Sequence, residues 1–445
     1  MFSRLKIEDL RTWANKKERK PLVLRGARQV GKTSLVKMFG KEFEQFLYLN
    51  LELKEEKALF ENDYSFQDML AALFLYGKIL RSHKKTLIFI DEIQNSPKAV
   101  AFLRYFYEET PDLYIITAGS LLENIMDQKT AFPAGRVEYM LLRPCSFREF
   151  LIASNEKQYL DILTQHSIPD YAHGGLLKLF FQYTLIGGMP EIVNNYKENR
   201  DISRLSTIYE SLILSYLEDV EKYANSSAQV QYIRHIINSA FAEAGKRITF
   251  EKFGNSEYKS REIKEAFLTL EKTMLVNLVY PQTSHTIPLL PNRKKKPRLH
   301  VVDTGLMNYK AGLQLDLIKA QNIENVYKGN VSEHITGQEL LANERSALRN
   351  LSFWVRDKKS STAELDYIQL YEGQLIPIEV KSGSTGKLKS LLLYMDESGQ
   401  NIAIRIHSGK YSIEDIKTPK GKNFRLFNIP FYLIFDIKNI LSRSI

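Results

Sequence analysis

The sequence predicts an α/β protein of several domains, in which buried parallel strands alternate with helices. Three observations lead to this fold class. Short apolar runs at residues 21–25, 86–90 and 113–118 are typical of buried strands, and the first leads directly into a helical pattern. Residues 146–223 carry apolar side chains at steps of three and four, which predicts a helical segment. Strand-like runs return between residues 351 and 381 and predict a second α/β region.

Length and composition set the outer limits of the interpretation. The 445 residues correspond to about three domains at roughly 150 residues each. The chain has 62 Lys and Arg against 52 Asp and Glu, a net charge of +10, with 26% charged and 44% hydrophobic residues. These proportions exclude a disordered, collagen-like or coiled-coil chain. The basic excess allows an anionic partner such as nucleic acid, although solubility alone would account for it.

Targeting and redox features are also bounded by the sequence. Because no apolar stretch approaches 18 residues, we expect no membrane span. The amino terminus alternates apolar and charged residues and lacks the apolar core of a signal peptide, so we expect a cytoplasmic protein. The single cysteine, Cys145, excludes an intramolecular disulfide and a cysteine-only zinc site.

The first chemical motif follows the first predicted strand and has the spacing Gly, four residues, Gly-Lys-Thr. Its glycines let backbone amides close around phosphate oxygens at the start of a helix. Lys32 is placed to reach the β- and γ-phosphates, and the Thr33 hydroxyl to bind Mg²⁺. The motif therefore predicts a site for ATP or ADP with Mg²⁺ as cofactor. The predicted nucleotide-binding residues are Gly26, Ala27, Arg28, Gln29, Val30, Gly31, Lys32, Thr33 and Ser34.

Further candidates for this site come from later strands. The second predicted strand ends in Asp91 and Glu92, and the carboxyl ends of parallel strands meet at one edge of a sheet. Asp91 is expected to bind Mg²⁺, and Glu92 to orient or deprotonate the attacking water. Ser120, after the third strand, is a candidate sensor of the γ-phosphate. Arg136 is a candidate for neutralising the transferred phosphoryl group, in its own subunit or through self-association with a neighbouring copy; a solvated surface side chain is the alternative.

Residues 227–305 show short helical patterns, then a strand-like run and the basic loop 292–298. This is the order expected of a winged helix, whose basic wing would grip the phosphates of DNA. Such contacts promise non-specific electrostatic binding only, since phosphates carry no base information. A solvated basic hairpin without a partner is the alternative.

A second cluster of chemical groups is predicted near the carboxyl end. Glu379 and Lys381 are two residues apart and project from one strand face, where Asp366 on a partner strand can approach them. The pattern resembles the PD-(D/E)xK nuclease fold. This resemblance implies a divalent ion held by Glu333, Asp366 and Glu379, with Lys381 steadying a hydrolytic water. A salt-bridged surface, or a nuclease-like domain without the chemistry, is the alternative.

Four segments, at residues 26–33, 90–94, 134–136 and 143–150, resemble the AAA+ ATPases, in particular the bacterial and archaeal ATPases with a DUF4143 carboxyl-terminal region. The resemblance implies that Pro190, in a Gly-Gly-Met-Pro turn of a helical lid, contacts adenine. An ordinary helix break is the alternative for that turn. The expected domains are an AAA+ P-loop ATPase domain (1–145), a helical lid (146–226), a winged-helix domain (227–305) and a DUF4143 nuclease-like domain (306–445).

Together these expectations describe an ATP-binding and ATP-hydrolysing protein that couples its nucleotide state to a DNA-binding winged helix and a nuclease-like domain. A switch of this kind works through different affinities of ATP and ADP for two conformations. The alternative is an ATP-dependent regulatory or adaptor protein whose nuclease-like domain is inactive.

Overall fold

The computed structural model describes residues 2–81, 84–119, 133–165, 168–314, 329–358, 361–383 and 386–443. The chain divides into two compact units. The first comprises Met1–Arg143 with the short segments Lys272–Met274 and Arg345–Ala347, and the second comprises Pro144–Glu271, Leu275–Glu344 and Leu348–Ile445. The finer bounds expected for the lid, the winged helix and the nuclease-like domain stay predictions.

The first unit contains a five-stranded sheet in which every neighbouring pair of strands is parallel. Its strands are β1 (Leu22–Arg25), β2 (Gln45–Asn50), β3 (Thr86–Asp91), β4 (Tyr114–Gly119) and β5 (Glu138–Leu141), in the spatial order β2-β3-β4-β1-β5. Its helices are α1 (Ile7–Ala14), α2 (Lys32–Gly40), α3 (Lys54–Glu61), α4 (Phe66–Tyr76) and α5 (Pro97–Glu109). The predicted α/β class is confirmed.

Burial explains why the strands of this sheet are continuous apolar runs. All residues of β3 are buried, as expected of a parallel strand covered on both faces. Leu49 on β2, Ile88 on β3 and Leu103 on α5 belong to one fully buried core. Helix α5 begins at Pro97 because the Ser96 side chain accepts a 3.1 Å hydrogen bond from the Ala99 amide. The packing fixes β1 and β3, whose ends carry the predicted nucleotide site.

Beyond residue 143 the chain begins with helices and ends in a mixed α/β region. The helices are α6 (Phe147–Ala153), α7 (Lys157–Leu163), α8 (Asp170–Ile186), α9 (Pro190–Asn199), α10 (Ser206–Glu218), α11 (Ser227–Glu243), α12 (Ser260–Lys272), α13 (Thr304–Lys310), α14 (Asn330–Ala342), α15 (Lys389–Glu397) and α16 (Ile437–Ser442). The strands are β6 (Val276–Val279), β7 (Pro281–Gln282), β8 (Arg298–Val301), β9 (Phe353–Val355), β10 (Glu364–Leu365), β11 (Tyr367–Tyr371), β12 (Gln374–Val380), β13 (Ile402–His407), β14 (Ser412–Lys417) and β15 (Asn423–Pro430).

Short 3₁₀ helices complete the secondary structure. They span Ile93–Asn95, Ile202–Leu205, Asp219–Lys222, Phe253–Asn255 and Phe431–Asp436. The helices α6 to α10 lie where the apolar spacing predicts them. Among the described helices, none is long and apolar enough to cross a lipid bilayer.

Residues 227–301 contain two helices and an antiparallel pair of strands. Helix α11 precedes a bridge between Arg247 and Arg298, helix α12 follows, and β6 then pairs with β8. The apolar face of α12 is buried through Ile263, Phe267 and Leu270, and its other face is exposed. The element order therefore matches the order that the sequence predicts for this region.

The carboxyl-terminal region contains a mixed five-stranded sheet with the order β11-β12-β13-β15-β14. Strands β11 and β12 form an antiparallel hairpin, and β13 lies parallel to β12 after the crossover through α15. A core that includes Trp354, Leu391 and Leu426 packs this sheet against α15. Helix α14 is therefore followed along the chain by the β11–β12 hairpin and the crossover through α15.

Candidate functional site

The loop between β1 and α2 has the backbone conformation that its glycines permit. Gly31 caps α2 with φ 93° and ψ 25°, in the left-handed region that favours glycine. A Cβ added to Gly26 would lie 2.4 Å from the Leu142 carbonyl oxygen, so only glycine fits there. The buried Arg4 donates a 2.8 Å hydrogen bond to the Val30 carbonyl and braces the loop. The sequence gives no spacing signal for Arg4, and this support was not predicted.

Lys32 lies inside this loop and is almost fully buried. Its Nζ donates to the carbonyl oxygens of Gly26 at 2.9 Å and Ala27 at 3.0 Å. Burial lowers the pKa of Lys32, and the nearby Glu92 and Asp91 carboxylates oppose that shift. The ammonium is therefore held by two neutral carbonyl oxygens and lies near two carboxylates. The oxygens of a bound phosphate can replace the two carbonyl oxygens as its hydrogen-bond acceptors.

Thr33 and Asp91 come together as the motif spacing predicts. The Thr33 hydroxyl donates a 2.6 Å hydrogen bond to Asp91 Oδ2 across the carboxyl edge of the sheet. Burial raises the pKa of Asp91, although the Thr33 hydrogen bond and the Lys32 charge act in the opposite direction. A hydroxyl oxygen and a carboxylate are hard ligands of the kind that Mg²⁺ prefers, so these two residues fit the predicted cofactor.

Glu92 directly follows Asp91 and adopts a strained backbone conformation. Its φ of 51° and ψ of 42° lie in the left-handed region, which is uncommon outside glycine. Its carboxylate accepts a hydrogen bond from the Gln94 side chain, and its amide donates to Asp91 Oδ1 at 3.2 Å. Burial raises the pKa of Glu92, and the Asp91 charge adds to that shift. A carboxylate with a raised pKa next to the Mg²⁺ ligands suits a general base.

The remaining residues of the predicted loop differ in their exposure. Val30 is fully buried, Gln29 is exposed with a positive φ of 63°, and Arg28 and Ser34 are half-buried. Ser120, the predicted sensor, lies outside the described residues.

Arg136 is not brought to the loop of its own chain. It lies just before β5, and β5 runs parallel to β1 with Glu138 opposite Leu22. Arg136 is therefore at the amino edge of the sheet, whereas the loop begins at the carboxyl edge, roughly 13 Å of strand away. Its Nε contacts Glu108 Oε1 at 3.2 Å, and its side chain is 44% exposed. A role in its own subunit is not supported by this placement.

Pro190 is the first residue of α9 and belongs to the second unit. The turn before it is fixed by a buried carboxylate, since the Gly188 amide donates to Asp303 Oδ2 at 2.6 Å. Burial raises the pKa of Asp303 to about 6, and the amides that donate to it limit the rise. The predicted contact of Pro190 with adenine stays a prediction.

The predicted carboxyl-terminal cluster does assemble. Lys381 Nζ lies 2.5 Å from Glu379 Oε1, and Asp366 Oδ2 accepts a 2.7 Å hydrogen bond from the Val380 amide. Burial raises the pKa of Glu379 to about 7, with Asp366 adding to the shift. Burial likewise raises the pKa of Glu333 to about 8. The four side chains thus lie together in a partly buried cluster beside the hairpin.

A positively charged side chain, Arg298, also lies in this cluster. Arg298, the first residue of β8, approaches Glu333 Oε2 at 3.3 Å and Asp366 Oδ1 at 3.7 Å. Within the described residues, no group of three or more His, Cys, Asp and Glu side chains has the arrangement of a metal site. The divalent ion implied by the nuclease resemblance therefore does not fit this arrangement of donors, and the metal role of Glu333, Asp366 and Glu379 stays a prediction.

The parallel sheet and the Lys32–Thr33–Asp91 geometry define a P-loop NTPase domain. Residues 18–151 match the model of the AAA domain family, and residues 328–423 match the domain of unknown function DUF4143. These two matches confirm the AAA+ ATPase domain and the DUF4143 region that the motifs predict. Residues 177–317 match a further domain of unknown function, DUF8612, for which the sequence carries no recognised motif.

Solved structures show more distant similarity. A Walker-type ATPase of Pyrococcus abyssi is 18% identical, with a TM-score of 0.46, and the match covers 70% of this chain and 96% of that chain. The Orc1 protein of Aeropyrum pernix in complex with DNA is 12% identical, with a TM-score of 0.25 and coverage of 71% and 92%. No curated protein matches the sequence.

Proposed function

We propose that this protein hydrolyses ATP at the loop between β1 and α2 and uses the cycle to change the affinity of its winged helix for DNA. The observation that carries the first half is the convergence of Lys32, Thr33 and Asp91 at one edge of the sheet. Phosphate oxygens would replace the carbonyl partners of Lys32 and take the unpaired amides at the start of α2. Bound Mg²⁺ would neutralise phosphate charge.

Glu92 supplies the group that a hydrolysing site needs beyond binding. Its half-buried carboxylate adjoins Asp91 and is positioned by Gln94, so it can take a proton from an attacking water. Arg136 is then best suited to act on a neighbouring copy of the chain, since it lies at the opposite edge of its own sheet. Self-association is part of the proposal for this reason.

The second half of the proposal is supported by the elements between residues 227 and 301. Helix α12 presents an exposed face, and the loop between β6 and β8 exposes Arg293, Lys294 and Lys296. Lys295, by contrast, is paired with Asp357 at 2.9 Å. Three exposed cations on a wing beside a helix are suited to contact with DNA phosphates.

A hydrogen-bonded route within the second unit supports coupling between the turn at Pro190 and this wing. Asp303 follows β8 by two residues and accepts from the Gly188 amide, two residues before Pro190. Gln338 of α14 donates to the same Asp303 carboxylate at 3.3 Å. A displacement of the turn would therefore reach the end of the wing strand through one buried carboxylate.

The experiment is to measure ATP turnover with and without duplex DNA, and DNA affinity as a function of salt. We expect DNA to stimulate turnover, and Arg293→Ala/Lys294→Ala/Lys296→Ala to weaken DNA binding and flatten its salt dependence. The matched control, Lys417→Ala/Lys420→Ala, removes two exposed lysines of another hairpin. Turnover indifferent to DNA, or equal losses in both variants, would contradict the coupling.

An ATP-dependent regulatory or adaptor switch is the second candidate function. The buried Arg298 among the carboxylates favours it, because this cation stands where a nuclease would hold a metal. Supercoiled DNA incubated with the chain and Mg²⁺ or Mn²⁺ tests whether the nuclease-like domain is active. Cleavage that disappears in Asp366→Ala would contradict the switch. ATP turnover without cleavage and without stimulation by DNA would support the switch over the DNA-coupled ATPase.

A further inference from the structure

Arg298 contacts several groups that suit a cation. Its Nη1 donates to the Asp366 carbonyl at 3.0 Å, and its Nη2 pairs with Glu364. The guanidinium carbon lies 4.7 Å from the Phe353 ring centroid, within range of a cation–π contact. Only 6% of Arg298 is exposed. The side chain is therefore a fixed part of the cluster.

The carboxylates of the cluster form ion pairs and hydrogen bonds with other groups of the protein. Glu333 and Asp366 face the guanidinium, Asp366 also accepts from the Val380 amide, and Glu379 Oε1 pairs with Lys381. The other oxygen of Glu379 is buried without a hydrogen-bond partner among the described residues. One open oxygen does not make a site for a hard divalent ion, which requires several.

We propose that Arg298 is the resident cation of the nuclease-like domain: it stands in for the divalent ion, leaves the domain without a catalytic metal, and fastens the wing strand β8 to helix α14 and the β11–β12 hairpin. A guanidinium is suited to this role because it stays charged when buried and presents several fixed donors to carboxylates. Burial by itself lowers the pKa of Arg298, but the surrounding Glu333 and Asp366 carboxylates raise it above its ordinary value.

The proposal is specific to Arg298 and not to every arginine of the region. Arg247, which bridges to Arg298 in the sheet, contacts Glu364 Oε2 at 3.3 Å and has a side chain that is one-third exposed. It touches the rim of the cluster and does not lie between Glu333 and Asp366. Arg247→Ala is therefore a matched control for Arg298→Ala.

The test is a titration of the full-length chain with Mn²⁺ in the absence of nucleotide, followed by electron paramagnetic resonance of unbound Mn²⁺. Wild type and Arg247→Ala should bind no Mn²⁺ that depends on Asp366. Arg298→Ala should gain one Mn²⁺, and Arg298→Ala/Asp366→Asn should lose it again. The double variant leaves Asp91 intact, so Mn²⁺ bound at the P-loop contributes equally to both variants. The difference between Arg298→Ala and the double variant therefore counts only the Mn²⁺ that depends on Asp366.

Stability gives a second readout. Arg298→Ala leaves buried carboxylates without their cation, so its unfolding temperature should fall by roughly 5–10 °C and recover with Mn²⁺. If this variant folds only when Mn²⁺ is present, that result also supports the proposal. Wild-type chain that binds a Mn²⁺ lost in Asp366→Asn would overturn it, as would folded Arg298→Ala that binds none.

Discussion

Two regions of this chain bring a lysine and carboxylates to the ends of buried strands, and they differ in the partners that satisfy those groups. At the P-loop, Lys32 donates to neutral carbonyls and Asp91 accepts from a hydroxyl. In the carboxyl-terminal cluster, Glu333 and Asp366 face a buried guanidinium. Neutral partners are exchanged for a ligand at small cost, whereas breaking a buried charged pair costs several kcal/mol. The partners of a motif, more than its residues, distinguish a ligand site from a structural one.

The P-loop, where neutral partners can be exchanged for a ligand, is called the exchangeable site. The largest effect is expected from Lys32→Ala, which removes the ammonium from this site. Affinity for ATP with Mg²⁺ should fall by a factor on the order of 10²–10³, and turnover should be lost. Isothermal titration calorimetry measures the affinity. The control is Lys41→Ala, an exposed lysine just after α2. Equal ATP affinity in Lys32→Ala and wild type would remove the contrast between the two regions.

A large effect on catalysis alone is expected from Glu92→Gln. The amide keeps the shape of the side chain but cannot accept a proton, so kcat should fall roughly 10²–10⁴-fold while ATP affinity stays within a few-fold of wild type. Phosphate release under saturating ATP measures kcat. Glu55→Gln, on the exposed side of α3, serves as control. Unchanged kcat would show that Glu92 is not the base.

Arg136→Ala tests whether a second copy completes the exchangeable site. Turnover should fall roughly 10²–10³-fold without loss of ATP affinity, because the lost charge acts only on the transferred phosphoryl group. Arg104→Ala is the control, since Arg104 also pairs with Glu108. Mixing Arg136→Ala with Glu92→Gln should restore part of the activity through mixed pairs. A mixture as slow as its components would contradict action between copies.

The smallest effect concerns pH and the buried Asp303. Burial raises its pKa to about 6 in the folded chain, above the unfolded value of roughly 3.9, so folding binds a proton in this range. Stability from this group is therefore complete below about pH 4 and is lost as pH rises to about 6, on the order of 2–3 kcal/mol. In Asp303→Asn, the free energy of unfolding should fall less between about pH 4 and pH 6 than in wild type.

The measurement is denaturant unfolding of the full chain at pH 4.5 and pH 7. Glu339 contributes a similar slope in both proteins, because burial also raises its pKa, to about 7. The comparison of Asp303→Asn with wild type therefore isolates Asp303. Identical pH dependence in the two proteins would show that the pKa of the Asp303 carboxyl is the same in the folded and the unfolded chain.

The sequence predicts the P-loop region well because its chemistry is local. Residues 26–34 and the acids at 91 and 92 each follow a strand, and parallel pairing brings strand ends together without further information. The same reasoning predicts the approach of Asp366 to Glu379 across the β11–β12 hairpin, which the structure shows. Local spacing and strand direction are sufficient for these contacts.

Contacts between distant segments could not be predicted in this way. Arg4 reaches Val30 from before α1, and Arg298 reaches Glu333 from the end of a run that the sequence predicts to be a basic loop. One signal was present, since Arg298 directly precedes the apolar residues of β8, and a buried strand requires its arginine to be paired. The position of Arg136 could not be predicted either. It depends on the pairing of β5 with β1, which places Arg136 at the amino edge of the sheet and away from the P-loop.

The most direct measurement counts Mn²⁺ bound per chain by electron paramagnetic resonance, in the presence of a saturating non-hydrolysable ATP analogue. One ion per chain, lost in Lys32→Ala and retained in Asp366→Asn, is the predicted result. A second ion that Asp366→Asn removes, or no ion at all with the analogue present, would contradict the contrast between an exchangeable nucleotide site and a cluster that holds its own cation.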